Sequence, residues 1–321
     1  MMRKFFKITG IVCSIGIAAL VYFGWASDIP HETLAAKYAT GASKFMDLPS
    51  GARAHYRMQG NRAGKTIMLL HGSNSSLHTW EPWVAILSGD HFIVTVDLPG
   101  HGLTGQTPAD DYTYVGMVDF VKEFTQAVGL DKFFLGGNSM GGGVTLAYSL
   151  KHPNDVSGLI LVDAAGTRLP ALADDKVDYP LAFDLAGRWY TDWIIENVTP
   201  RSLAAEGLAK SVSVKSIVTE EAINRYWELV RHPGNRRATG LRFAWYRSAG
   251  SRDLPVESIN QPALVLWGDE DRLIPVDSGQ ALDKRLPNST LKIFNGVGHL
   301  PMEERPIETA GAVAAFLAGQ S

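Results

Sequence analysis

The chain has 321 residues, of which 45% are hydrophobic and 20% charged, with a formal net charge of −3. That balance belongs to a folded protein with a large core and room for an insertion, and it excludes a disordered chain. Basic residues gather only in isolated pairs such as Arg236-Arg237, which excludes a nucleic-acid partner, and the single Cys13 excludes disulfides, thiolate metal clusters and a cysteine nucleophile in the folded body.

At the start of the chain, Arg3, Lys4 and Lys7 precede residues 8–26, a span of 19 uncharged and mostly apolar residues. Such a span is just long enough to cross a bilayer as a helix. Its basic flank would stay cytoplasmic, so everything after it would be exported. Gly24-Trp25-Ala26 is a small-x-small sequence that a signal peptidase could cut near Ala26, giving a secreted protein. The length of the span and the bulk of Trp25 favour instead a retained signal anchor, a single helix tethering the body to a membrane. Val12, before Cys13, is too large for a lipoprotein processing site. Residues 27–51 then read as a polar connector.

Residues 52–58 alternate as a half-buried strand does, and 66–70 and 92–96 are short apolar runs of buried-strand length. Similar runs follow at 133–135, 159–162, 263–267 and 290–294. Helix-length amphipathic segments lie between most of them, at about 79–88, 113–128, 140–151, 277–286 and 306–318. Strands alternating with helices predict an α/β fold on a mainly parallel sheet flanked by helices. One interval breaks this rhythm: about 100 residues separate the strand ending near Asp163 from the one starting near Ala263. They read as mostly helical. Their aromatic residues, among them Trp189, Trp193, Tyr226 and Trp245, predict either a lid over a site or a helical subdomain with its own core.

Gly137-Asn138-Ser139-Met140-Gly141 fits G-x-S-x-G, with an apolar strand before it and a helix-length segment after it. In a strand-to-helix elbow the Ser takes a strained backbone, and the residues two places either side must be Gly because a Cβ would collide in the turn. Ser139 would then stand above the sheet edge as a nucleophile. A Ser hydroxyl needs a base, itself oriented by a carboxylate. Of the nine histidines, His299 follows directly on the last apolar strand, where parallel strands present ligand-facing residues, and it is the candidate base. His71 and His101 sit in tight Gly turns and read as structural. His31, His78, His91, His152 and His232 read as surface or packing residues. Asp269, Glu270 and Asp271 all follow the strand at 263–267, and Asp163 ends the strand at 159–162; spacing does not choose among these four acids. For the oxyanion, the Met140 N–H at the start of the helix and the Ser73 N–H in the loop after the strand at 66–70 are the candidate donors.

Taken in order, LLHGSN, VDLPGHG, GNSMGG, LWGDEDRLIP and GVGHLPMEERP resemble the α/β-hydrolase family from about Ala52 to the C-terminus. The resemblance implies an α/β-hydrolase fold with its core at 52–166 and 256–321 and a helical cap inserted at 167–255. It implies Ser139 as nucleophile, His299 as base and Asp271, three residues after the Gly of WG, as the acid of the triad. A serine carboxylic ester hydrolase without metal or organic cofactor follows, acting on a small-molecule or lipid acyl ester through an acyl-enzyme. Within the family, the N-terminal anchor with HGSNSSLHTW and GNSMGG is similar to bacterial membrane-associated esterases and lipases, and more distantly to membrane-anchored monoacylglycerol lipases. GNSMGG is also similar to hydrolases that cleave carbon–carbon bonds in ring-fission products. Those usually carry Gly-Pro-Gly after the first HG pair, where this chain has Ser73-Asn74-Ser75, and they work in the cytoplasm. Carbon–carbon cleavage on the same triad is the enzymatic alternative. A non-catalytic binding module is the alternative of another kind, and the complete triad speaks against it. Epoxide hydrolases and haloalkane dehalogenases of this architecture use an Asp nucleophile, so Ser139 removes them.

Overall fold

A computed structural model of the chain describes residues 24–167, 177–248 and 253–320. Cys13 and the expected anchor at 8–26 lie outside these residues, except for Gly24, Trp25 and Ala26. Among the described residues no helix is long and apolar enough to cross a membrane.

Eight strands form one sheet: β1 (Ser43–Asp47), β2 (Arg53–Gly60), β3 (Thr66–Leu70), β4 (Phe92–Val96), β5 (Phe133–Asn138), β6 (Val156–Val162), β7 (Ala263–Gly268) and β8 (Ser289–Phe294). Their order is β1-β2-β4-β3-β5-β6-β7-β8. β2 runs antiparallel to β1 and β4, and the remaining pairs are parallel. Helices α1 (His31–Tyr38), α2 (Glu81–Leu87), α3 (Tyr114–Ala127) and α4 (Met140–Lys151) come before β6. Between β6 and β7 lie α5 (Leu181–Leu185), α6 (Asp192–Asn197), α7 (Arg201–Ser211), α8 (Glu220–Val230) and α9 (Asn235–Arg247). The chain finishes with α10 (Val276–Arg285), α11 (Pro301–Glu304) and α12 (Pro306–Ala318).

The central strands are apolar throughout because both sheet faces are covered. Successive side chains of a strand point to opposite faces, and β3 divides accordingly. Met68 and Leu70 join a core with Met117, Val121 and Phe124 of α3 and Val144 and Tyr148 of α4. Ile67 and Leu69 join a second core with Trp83 and Leu87 of α2 and Val313 and Leu317 of α12. Each such side chain contributes about 1.5–3 kcal/mol by leaving water.

Residues 27–51 carry more order than the expected connector. α1 packs Leu34 and Tyr38 against Leu103 and Leu229, and β1 adds an edge strand by pairing with β2. Both signals are weak in sequence: α1 buries only two of its eight residues, and β1 is held by its partner rather than by an apolar face of its own.

The described part of the segment between β6 and β7 is mostly helical. Thr219 caps α8 by accepting from the Ala222 N–H at 3.1 Å, supplying a donor at the helix start with a partner. Residues 24–29 strap this helical layer from outside. Trp25 makes an antiparallel bridge to Val198, and the Ala26 N–H donates to the Asn197 carbonyl at 2.9 Å. Arg236 of α9 donates to the Ala26 carbonyl at 2.5 Å and to Asp28 at 2.6 Å. The aromatics of this layer serve neither expected purpose alone. Tyr226 lines a cavity, whereas Trp189, Tyr190 and Trp193 are exposed.

Candidate active site

β5 enters the elbow and α4 leaves it, with Ser139 between them at φ 52° and ψ −118°, a strained conformation for any residue with a Cβ. The flanking glycines are required by contact. A Cβ on Gly137 would run into the Gly141 backbone, and one on Gly141 into the Leu70 and His71 carbonyls. The Ser139 N–H donates to the Val162 carbonyl at 3.0 Å, and its own carbonyl accepts from Gly143 and Ala165, so the turn is fixed from three sides.

His299 lies in the loop after β8. Its N–H donates to the Ser211 carbonyl at 2.8 Å, and its carbonyl accepts from Asn138 Nδ2 at 3.0 Å. The ring Nδ1 meets Asp271 Oδ2 at 2.7 Å. A ring that donates from Nδ1 to a carboxylate leaves Nε2 free to take a proton. The other oxygen of Asp271 accepts from the Leu273 and Ile274 N–H groups at 2.8 and 3.0 Å. Asp269 and Glu270 are exposed, and Asp269 accepts from the Gly296 N–H instead. The structure therefore brings Asp271, of the three neighbouring carboxylates, to His299.

The fourth candidate, Asp163, is also buried here. Its Oδ1 accepts from the Gly268 N–H at 3.0 Å, and its carboxyl lies within 4.8 Å of the Asp271 and His299 polar atoms. Burial, reinforced by the Asp271 charge, pushes the Asp163 carboxyl well above the usual carboxylate range. These three side chains do not suit a cation, because His299 Nδ1 and Asp271 Oδ2 are already hydrogen-bonded to each other.

Ser139, His299 and Ser73 line one cavity of about 1050 Å³, counting its open mouth. Its wall is mostly apolar, with Pro180 and Phe183 at α5, Ile195 of α6, and Leu203 and Leu208 of α7. Met140 has its side chain in the core. As the first residue of α4, its N–H has no acceptor within the helix.

A family model described as the alpha/beta hydrolase fold matches residues 65–306. The chain belongs to that family. Among alpha/beta hydrolases it is 29% identical over 279 residues to Lipase 1 of Psychrobacter immobilis, covering 85% of this chain and 83% of that one. It is 30% identical over 269 residues to the monoacylglycerol lipase ABHD6 of Rattus norvegicus, covering 82% and 78%. The meta-cleavage product hydrolase CumD of Pseudomonas fluorescens IP01 shares its fold with a TM-score of 0.73 at 21% identity, covering 87% and 98%.

Two features of this alpha/beta hydrolase escape a sequence reading. Glu304 is buried, and its carboxylate accepts from the N–H groups of Gly298 and Leu300 beside His299 and of Ser213 and Val214 after α7, at 2.8–3.2 Å. It pins the His299 loop to the helical layer. Its place in MEERP, near His299, is the one hint in the sequence. His55 meets Asp97 at 2.7 Å in a fully buried pair. That pair is structural: Asp97 also accepts from the Leu77 and Leu103 N–H groups. His71 and His101 are buried loop residues as expected, each bonded through Nδ1 to a nearby carbonyl.

Proposed function

We propose that the protein is a serine carboxylic ester hydrolase, and the observation that carries this reading is the 2.7 Å contact of His299 with Asp271 on the cavity that Ser139 lines. Ser139 Oγ attacks the acyl carbonyl while His299 Nε2 takes its proton. Asp271 holds the ring and stabilises the imidazolium that forms. The N–H groups of Ser73 and Met140 donate to the developing oxyanion, each worth about 3–4 kcal/mol in the transition state. His299 returns the proton to the departing alcohol, leaving an acyl-Ser139. A water then attacks the acyl carbon, gives its proton to His299, and the carboxylic acid leaves as Ser139 recovers its proton.

The apolar wall suits an acyl chain. The one cation on that wall among the described residues, Arg236, is already bonded to Asp28 and Ala26. A ring-fission product brings a carboxylate that needs a free cation, so the carbon–carbon alternative is the weaker reading. The span at 8–26 supports attachment to a membrane with the catalytic body exported, or secretion after cleavage near Ala26.

Turnover of p-nitrophenyl esters from acetate to palmitate tests the reading, with Ser139→Ala alongside. The variant is expected to lose about 10⁴-fold or more in kcat. A folded wild-type chain that hydrolyses none of these esters would overturn the proposal.

A further inference from the structure

One face of α9 lies against the loop at residues 72–75. Thr239, Arg242 and Tyr246 follow at spacings of three and four, which places them on one stripe of a helix. Arg242 Nη2 donates to Asn74 Oδ1 at 2.9 Å, and Thr239 Oγ1 lies 3.0 Å from both Asn74 Oδ1 and the Asn235 carbonyl, between which its one proton is shared. The Tyr246 phenol lies close enough to the Tyr114 and Ser73 hydroxyls for both to act on it. The preceding residue is held as well: His71 Nε2 accepts from the Leu98 N–H, so Nδ1 carries the proton and donates to the Gly72 carbonyl at 2.8 Å. Asn74 itself has φ 57°, in the left-handed region that Asn enters more readily than most residues with a Cβ.

Arg242 is fully buried, and its Nε and Nη1 meet no partner among the described residues. A guanidinium withdrawn from water on a single hydrogen bond is unfavourable, and an apolar side chain of similar volume would suit packing better. Burial pushes its pKa down to about 10, which leaves it a cation at neutral pH. His71 and His101 lie in its field; burial first, and then the Arg242 charge, depresses both, so neither competes as a cation.

We propose that Arg242, together with Thr239, is a positioning residue for the oxyanion donor: by fixing Asn74 it holds the Ser73 N–H where negative charge develops. The helical layer over the cavity thereby completes the catalytic frame as well as enclosing the substrate. This inference rests on the ester-hydrolase reading, in which Ser73 supplies one of the two donors.

The test uses the full chain and the variants Arg242→Met, Thr239→Val, Asn74→Ala and Asn74→Asp, each checked for folding by thermal unfolding. Two rates are read: p-nitrophenyl ester turnover, and labelling of Ser139 by a fluorophosphonate, whose phosphoryl oxygen uses the same donors without an ester substrate. Arg242→Met and Asn74→Ala are expected to lower kcat and the labelling rate by about ten- to hundredfold with KM unchanged. Thr239→Val, which retains the Arg242 bond, falls less. The double variant Arg242→Met/Asn74→Ala should be no worse than the poorer single, because both substitutions remove the same contact. Asn74→Asp keeps the acceptor and should keep most of kcat. Folded variants with wild-type rates in both assays, a rise in KM alone, or multiplying effects would each overturn the role of Arg242. A wild-type chain that labels but hydrolyses no ester overturns the ester reading alone, and the labelling rates still decide Arg242. A chain that does neither overturns both.

Discussion

Asp163 and Asp271 share one buried corner and differ by their partners. Asp271 uses its oxygens on His299 and two backbone N–H groups, whereas Asp163 has one backbone donor and a charged neighbour. Unfolded, Asp163 titrates near 3.8; folded, it keeps its proton to higher pH. The native state then binds the extra proton between those values, so the stability contribution is complete below pH 3.8 and is lost as pH rises through the folded value. Asp163→Asn cannot lose a proton and still accepts from Gly268. It is expected to melt higher than wild type at pH 7, with the difference vanishing near pH 4, and to keep most of its turnover. Equal melting at both values would contradict the assignment. Asp271→Asn, by contrast, is expected under the proposed mechanism to lower kcat by about 10⁴-fold, as loss of the orienting carboxylate does in known Ser-His-Asp sites. Ser139 and His299 were legible in the sequence because their signals are local, a glycine-framed turn and a loop after a strand. The choice of Asp271 over Asp269 and Glu270 was not legible from spacing, since it depends on which carboxylate reaches across two strand ends; the family resemblance supplied it.

At the level of elements, the parallel strands and their helices were legible because burial on both faces forces continuous apolar runs. α1 and β1 were not, since tertiary partners hold them. Glu304 belongs with these: a carboxylate becomes a clamp only once two loops converge on it. Glu304→Ala leaves the buried N–H groups of Gly298 and Leu300 and the part-buried ones of Ser213 and Val214 without their acceptor and should cost about 3 kcal/mol, read as a lower denaturation midpoint, with kcat falling as the His299 loop loosens. Unchanged stability would show that water replaces the carboxylate. α7 offers a separate test of the proposal that the apolar wall takes the acyl chain. Gly207 lines the cavity, and a Cβ there meets nothing closer than Pro180 at 3.9 Å. Gly207→Phe should shift the preferred ester to shorter chains, and an unmoved optimum would mean that the acyl group lies elsewhere.

Across the whole molecule, the helical layer is fastened, among other places, to the loop at 72–75 through α9, to the His299 loop through Glu304, to α1 through Glu228, and to residues 24–29 through Arg231 and Arg236. A chain starting at Ser27 loses the Trp25 bridge and both Ala26 hydrogen bonds that one starting at Gly24 retains. It should be less stable by about 1–3 kcal/mol, measured by denaturant unfolding of the two. Identical midpoints would show that the strap adds nothing. The strap also has a place in time. Ala26 and Arg236 are 210 positions apart, so at about 5–20 residues per second roughly 10–40 s of synthesis separate them. Throughout that interval the Ala26 carbonyl lacks the guanidinium it accepts from, and it gains that partner only once α9 has formed. The strap is therefore among the last contacts of the described fold to close, and a ribosome that slows upstream of α9 lengthens the time the first residues wait for it.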